Sequence, residues 1–283
     1  KPYLQKRENL NLFIGAKKGT LVKEAPAAYG HGSEKHFYYI HAYNCIYECE
    51  YCYLQGHFHS PDLVLFINHE DIIEDMKKTV EQYPDCWFHA GEFSDSLALS
   101  HITNELSTYF DFFKKHPSSK LEIRTKSVNI RPLLELEPLP NIITSFSLSS
   151  ADSAKKFDLK CPSIRHRINA IEKLVKAGFR IGIHFDPIIY QEDFEESYSE
   201  VINELKDILP NDRLAYISIG VVRFTSDVYH QTIRNYPDSE LANEIFSKSH
   251  DGKIRYNRPM RKWILNKIRE QLLPYYDNEK IYE

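Results

Sequence analysis

The chain has 283 residues, 42% hydrophobic and 27% charged, which suits one large globular domain and excludes a disordered polypeptide. Only 10 glycines exclude collagen-like and glycine-linker architectures, and no apolar run approaches the roughly eighteen residues of a membrane span, so no membrane partner is expected. The net charge of −4 excludes a uniformly basic surface coated with nucleic acid.

From residue 37 onward, short β-rich apolar runs alternate with amphipathic stretches. In chain order the pattern predicts a strand at 37–43, a helix at 69–83, a strand at 86–90 and a helix at 97–115. A strand at 120–124, a helix at 129–136, a strand at 142–148 and a helix at 163–177 follow. A strand at 179–185, a helix at 193–208 and a strand at 214–222 complete the series. Ser163 and Gly178 bracket one helix as an N-cap and a terminating glycine. Strands separated by helices imply an α/β fold with a parallel sheet. No linker or fixed-period repeat divides the chain, so the expected organisation is an N-terminal arm (1–36), one α/β domain (37–222) and a C-terminal extension (223–283). Six units are too few to close an eight-stranded barrel. An open partial barrel or a doubly wound sheet remains, and either gathers ligands at the C-terminal ends of its strands.

Charge is uneven. Residues 252–269 hold Lys253, Arg255, Arg258, Arg261, Lys262, Lys267 and Arg269 with no acid, leaving 29 bases against 40 acids elsewhere. Interleaved with Tyr256 and Trp263, such a segment suits gripping a nucleic-acid strand, phosphates taking the charge and a base taking the stacking surface. It equally suits a closing helix whose buried stripe is Trp263, Ile264 and Ile268 and whose bases are merely solvated.

Five cysteines are an odd count, and three fall within eight residues: Cys45, Cys49 and Cys52. That grouping points to a metal or cluster site in reducing, cytoplasmic surroundings rather than a secreted disulfide framework. The chain begins with Lys1, and its first residues carry no targeting pattern. The spacing C-x3-C-x2-C directly after the first strand lets three thiolates ligate three irons of a [4Fe–4S] cluster, leaving one iron open. Zinc is the competing reading, with His41 or His57 supplying a fourth ligand.

This motif, after the first strand of a six-unit barrel, resembles the radical S-adenosylmethionine superfamily. The resemblance implies a partial (β/α)6 barrel, a [4Fe–4S] cluster on Cys45, Cys49 and Cys52, and S-adenosylmethionine cleaved to a 5′-deoxyadenosyl radical that abstracts hydrogen from substrate. Tyr51-Cys52-Tyr53-Leu54-Gln55 further resembles the spore photoproduct lyase family, lyases that reverse a methyl-bridged thymine dimer in DNA. Arg124-Thr125-Lys126, Ser145-Phe146-Ser147, Lys176-Ala177-Gly178-Phe179, Arg223-Phe224-Thr225 and Asn235-Tyr236-Pro237 extend the similarity to the C-terminal region. By position, the resemblance implies that Tyr53, Ser94, Lys126 and Ser147 contact S-adenosylmethionine and that Tyr51 and Tyr53 relay hydrogen. It also implies that Arg255 and Tyr256 meet damaged DNA, with Arg223 and Lys253 at the same mouth. An external electron donor such as flavodoxin or ferredoxin and a monomeric enzyme are the expected partner and state.

One departure stands out. Where the family carries a hydrogen-donating cysteine after its second strand, this chain reads His89-Ala90-Gly91-Glu92-Phe93-Ser94-Asp95. A carboxylic O–H bond is too strong to replace a thiol, whereas Ala-Gly-Glu resembles the superfamily's Gly-Gly-Glu, whose glutamate binds the methionine ammonium; Glu92 is accordingly assigned to cofactor binding. Cys86, near the strand's far end, and Cys161, in a loop before a helix, are the remaining thiols. Two further readings stay open: a radical enzyme on a modified nucleotide, peptide or small molecule, and a non-catalytic, metal-containing nucleic-acid-binding module.

Overall fold

The computed structural model describes residues 9–26 and 34–283. Within the expected arm (1–36), residues 1–8 and 27–33 therefore lie outside the described residues. The six expected barrel strands are His36–Tyr39, Trp87–Ala90, Lys120–Thr125, Ile142–Ser147, Arg180–Ile188 and Leu214–Val221. They pair in parallel and in sequence order, so each crossover helix returns the chain to the next position of one sheet. Val22–Glu24 adds an antiparallel edge beside the first strand, and Ile281–Tyr282 a parallel edge beside the sixth. The result is the partial barrel, not the doubly wound alternative. Among the described residues no helix is long and apolar enough to cross a membrane.

The helices follow the expected faces with two changes. The stretch at 97–115 divides into Ser100–Thr103 and Leu106–Lys115, because Asn104 between them takes a left-handed φ of 52°. The stretch at 129–136 shrinks to one turn, Arg131–Leu134. Helix Ile164–Lys176 begins where Ser163 Oγ accepts from the His166 amide and ends before Gly178, whose φ is +95°. The first strand stops at Tyr39 rather than 43. Tyr38 pairs with His89, so two residues further the neighbouring strand has turned at Gly91, and Ala42–Tyr43 pairs with Leu63–Phe66 instead. Helices Ala151–Phe157 and Ser226–Asn235 were not anticipated.

Alternation along the strands divides two interiors. Leu121, Ile123, Phe146, Ile181 and Ile183 face outward into one apolar cluster with Ile72, Met76, Ile171, Leu174 and Leu205 of the covering helices. Each such side chain stabilises the fold by roughly 1.5–3 kcal/mol. The opposite face is polar. Glu122 of the third strand accepts hydrogen bonds from Ser145 Oγ (2.6 Å) on the fourth strand and from the Tyr216 hydroxyl on the sixth. Its carboxylate also bonds His89 of the second strand and His184 of the fifth, the latter at 2.8 Å. His36 Nδ1, 2.9 Å from His89 Nε2, joins the first strand to this network. Gly182 makes room beside it, since an added Cβ would lie 2.8 Å from the Tyr216 ring. Burial opposes charge on Glu122, yet its bonds to His184 and His89 hold the carboxyl well below its ordinary range.

Two histidines, His41 buried and His36 half-buried, make stability depend on pH. Burial, and then a neighbouring histidine, lowers both His36 and His41 to about 4. Each stays neutral in the fold at a pH where the unfolded chain binds a proton, so stability present above about 6.5 is lost as pH falls toward 4. For the enclosed His41 the full loss is roughly 3 kcal/mol. Denaturant midpoints are expected to be level above pH 7 and to fall steadily from 6.5 to 4, with a shallower fall in His41→Phe. A midpoint flat across that window refutes the assignment.

Candidate active site

The cysteine loop begins after the short strand Ala42–Tyr43, at Asn44, which takes a left-handed φ of 62°. Its side-chain amide donates to the Ser60 and Asp62 carbonyls at 2.9 and 2.7 Å, pinning the loop entrance. Further on, Glu48–Cys49 pairs antiparallel with Asp158–Leu159, and the Glu50 amide donates to the Phe157 carbonyl. Buried Gln55 donates to the carbonyls of Cys49 (3.0 Å) and Glu50 (2.7 Å) and accepts from Asn235 Nδ2 (2.7 Å). The C-terminal extension thus grips the loop. It packs so closely that a Cβ on Gly56 would lie 2.9 Å from Val228 Cγ2.

All three loop cysteines are free thiols, Cys49 buried and Cys45 and Cys52 half-buried. Burial, and then Asp95, pushes the Cys45 thiol well above its usual range; burial and Cys49 push Cys52 to about 12. Without a metal these sulfurs keep their protons, and a bound cation is what makes thiolates favourable there. Three soft donors on one backbone-fixed loop suit an iron–sulfur cluster with one open iron, while the group whose ligand atoms lie within 4.8 Å of one another is Cys49 with Asp158 and Cys161.

The ends of the next strands face this loop. Gly91 has a φ of +73°, and an added Cβ would sit 2.5 Å from Ser96 Oγ, so this turn accepts only glycine. It presents Glu92, Phe93 and Ser94. The Tyr53 hydroxyl donates to the Glu92 carbonyl oxygen, bringing together two residues that the sequence assigned to the cofactor. Phe93 stacks on His57 at 4.7 Å, within an aromatic group that includes Tyr38, Tyr43 and Phe58. Asp95 accepts from the Lys126 amide (2.7 Å) and Thr125 Oγ1 (2.6 Å), locking the second strand's loop to the third strand's end.

Lys126 reaches back toward the cysteine loop. Its Nζ donates to the Tyr51 hydroxyl at 2.8 Å and lies 3.6 Å from Asp158 Oδ1, while Tyr51 itself donates to Asp158. Arg167, with no exposed surface, pairs with the other Asp158 oxygen at 2.8 Å and donates to the Ser147 carbonyl at 3.0 Å. Burial raises and its two cations lower the Asp158 carboxyl, and the cations win. Burial, then Asp158, pushes the Tyr51 phenol well above its usual range, so Tyr51 keeps its proton and acts as a hydrogen-bond donor to Asp158. Asp158 and Arg167 were missed in the sequence, and neither carries a local signal: what marks them is their tertiary pairing.

The substrate residues divide. Arg223 and Arg255 are cross-strand partners in a small antiparallel sheet completed by Ser247–Lys248, with Lys253 in its turn. Arg223 forks onto Asp186 at 2.8 and 3.0 Å, and Arg255 pairs with Asp251 at 2.8 Å. Tyr256 is a correction. Its side chain is completely buried, packs on Phe246 and accepts from the Tyr190 amide at 3.0 Å, so its ring offers no face to an extruded base. Helix Arg258–Leu272 buries Ile264, Ile268 and Leu272, as the closing-helix reading expected, but Trp263 lies outside that stripe: it packs on Phe194 with 40% of its surface exposed. Cys86 is fully buried at the far end of its strand, near Ser119. Cys161 lies 3.6 Å from Cys49, sulfur to sulfur.

A partial parallel barrel whose first strand feeds a three-thiol loop, faced by Glu92 and Lys126 from neighbouring strand ends, defines a radical S-adenosylmethionine enzyme. The profile of the family described as spore photoproduct lyase matches residues 30–281. This chain belongs to the spore photoproduct lyase family. The spore photoproduct lyase of Bacillus subtilis (strain 168) is 26% identical over 251 residues, covering 85% of this chain and 73% of that protein. That of Geobacillus sp. (strain Y412MC61) is 27% identical over 205 residues, covering 71% and 60%. A solved spore photoproduct lyase variant with bound AdoMet and dinucleoside spore photoproduct superposes with a TM-score of 0.82 at 22% identity, covering 96% of this chain and 81% of that one.

Proposed function

We propose that this enzyme cleaves S-adenosylmethionine reductively at a [4Fe–4S] cluster held by Cys45, Cys49 and Cys52, and acts as a lyase on a pyrimidine photoproduct in DNA. The observation that carries the reading is the backbone-pinned loop of three unbridged thiols, one buried and two half-buried, facing the strand ends that bear Glu92 and Lys126. When bound, the cluster and cofactor supply one-electron chemistry and a carbon radical that abstracts hydrogen. The protein's own residues bind and orient. The Glu92 carboxylate suits the methionine ammonium, and Lys126 suits the methionine carboxylate as a compact charge. Ser94, Ser147 and Tyr53 offer hydroxyls to the rest of the cofactor. Tyr53, partly exposed beside Glu92, is the better placed hydrogen relay, because Tyr51 is committed to Asp158 and Lys126. Arg223, Lys253 and Arg255 on the C-terminal sheet supply the positive edge for a DNA backbone. A small one-electron donor protein of the flavodoxin or ferredoxin type and a monomeric state complete the reading. Glu92 in place of a thiol favours one second reading, radical chemistry on a different substrate.

Anaerobically reconstituted protein is expected to hold about four irons and four sulfides and to release 5′-deoxyadenosine on reduction, both abolished by Cys49→Ala. Stoichiometric zinc without iron after anaerobic purification overturns the cluster. Replacing Glu92 by Gln removes one charge-assisted bond, and is expected to raise the Kd for S-adenosylmethionine about tenfold or more. If Glu92→Cys leaves binding intact and confers faster photoproduct repair, the ammonium assignment fails. Duplex carrying a spore photoproduct is expected to bind with an affinity that falls steeply with salt. The double variant Lys253→Ala with Arg255→Ala should lose about tenfold and show a shallower salt slope. Undetectable DNA binding at low salt selects the second reading.

A further inference from the structure

We infer that Cys161 is a positioning residue for the cluster: its thiol donates an S–H···S hydrogen bond to the Cys49 sulfur and raises the cluster's reduction potential. This rests on the cluster proposed above. The two sulfurs lie 3.6 Å apart. Their approach is built by the surrounding backbone. Asp158 pairs with Cys49 and Leu159 with Glu48 in one antiparallel ladder, after which Lys160 turns the chain through a left-handed φ of 59°. Lys160 Nζ pairs with Glu48 Oε1 at 2.5 Å, tying the turn to the strand it faces. The Cys161 amide donates to the Asp158 carbonyl at 3.1 Å, and Arg167 Nε holds the Pro162 carbonyl at 2.9 Å. Cys161 therefore has little freedom to withdraw from Cys49.

The direction of the bond follows from chemistry. A metal-bound Cys49 is a thiolate without a proton, so of the two sulfurs only Cys161 can donate. A donor aimed at a ligand sulfur draws electron density from the cluster and stabilises its more negative, reduced form. Burial strengthens the effect, since water does not compete for that sulfur. The arrangement makes reduction easier before any substrate arrives.

The test compares the parent with Cys161→Ala, Cys161→Val and Cys161→Ser after anaerobic reconstitution, by iron and sulfide analysis and by a redox titration followed by electron paramagnetic resonance. All four proteins are expected to carry the same iron. Cys161→Ala, and Cys161→Val, which fills the space without a donor, should reduce the reduced-to-oxidised ratio at a fixed potential threefold to tenfold. Tenfold corresponds to about 59 mV for one electron. Cys161→Ser, whose hydroxyl still donates, should recover most of the difference. Equal midpoints in fully loaded parent, Ala and Val variants overturn the inference while leaving the cluster intact. Two sulfurs at this spacing also suit a single tetrahedral ion, with zinc–sulfur bonds of about 2.3 Å. Stoichiometric zinc lost in Cys161→Ala would show that use instead and overturn the inference. A parent without iron would remove the cluster itself, a failure read from the iron analysis before any potential is measured.

Discussion

A single buried carboxylate holds this barrel together. Glu122 bonds groups from the second, fourth, fifth and sixth strands, and through His89 the first strand joins as well. Most folds of this size would fill that space with aliphatic side chains. Here the interior is a polar network built on one shared acceptor, which stays favourable only while the partners of that acceptor are in place. Removing the carboxylate would leave two histidines, a serine and a tyrosine without their shared acceptor, a loss of roughly 3–5 kcal/mol by analogy with broken buried pairs. The strand ends that carry Glu92, Lys126 and Ser147 take their positions from this arrangement below them.

A second carboxylate performs the same task for the cysteine loop. Asp158 receives Tyr51 from the loop, Lys126 from the third strand and Arg167 from the helix after it, and its backbone pairs with Cys49. Two cations facing one anion leave an excess of positive charge at Asp158, on the Cys52 and Cys161 side of the loop, whereas Cys45 faces Asp95. That excess is of the sign that would help hold thiolates in a desolvated site. The strand that pairs with Cys49, two of the three charges and Cys161 all come from the segment 158–167, far along the chain from the cysteines themselves.

Glu92 shows how a family scaffold can carry altered chemistry. The turn at Gly91 tolerates no side chain, so the residue that follows is delivered to the same place whatever its identity. In the reading proposed above, a carboxylate there binds an ammonium where a thiol would return hydrogen. The geometry of the turn is independent of that choice, which is why family membership and the presence of Glu92 are compatible.

The local sequence determined the six barrel strands, three of the five expected helices at near full length, and the three-thiol loop. Each of these depends on periodicity or spacing among near neighbours, interactions that a short stretch of chain carries within itself. The helix at 97–115 divided at Asn104 because a left-handed residue interrupts a pattern that hydrophobic spacing alone reads as continuous. What only the tertiary structure decided is how distant charges meet. Asp158 and Arg167 look like ordinary helix-end polar residues until the fold encloses them together. Tyr256 looks like a stacking surface until Phe246 and the Tyr190 amide enclose it. Cys161 shows no partner in sequence, since Cys49 stands 112 positions away, and a ladder between two short strands brings their sulfurs into contact. Burial and long-range pairing are properties of the closed chain, and no local pattern encodes them.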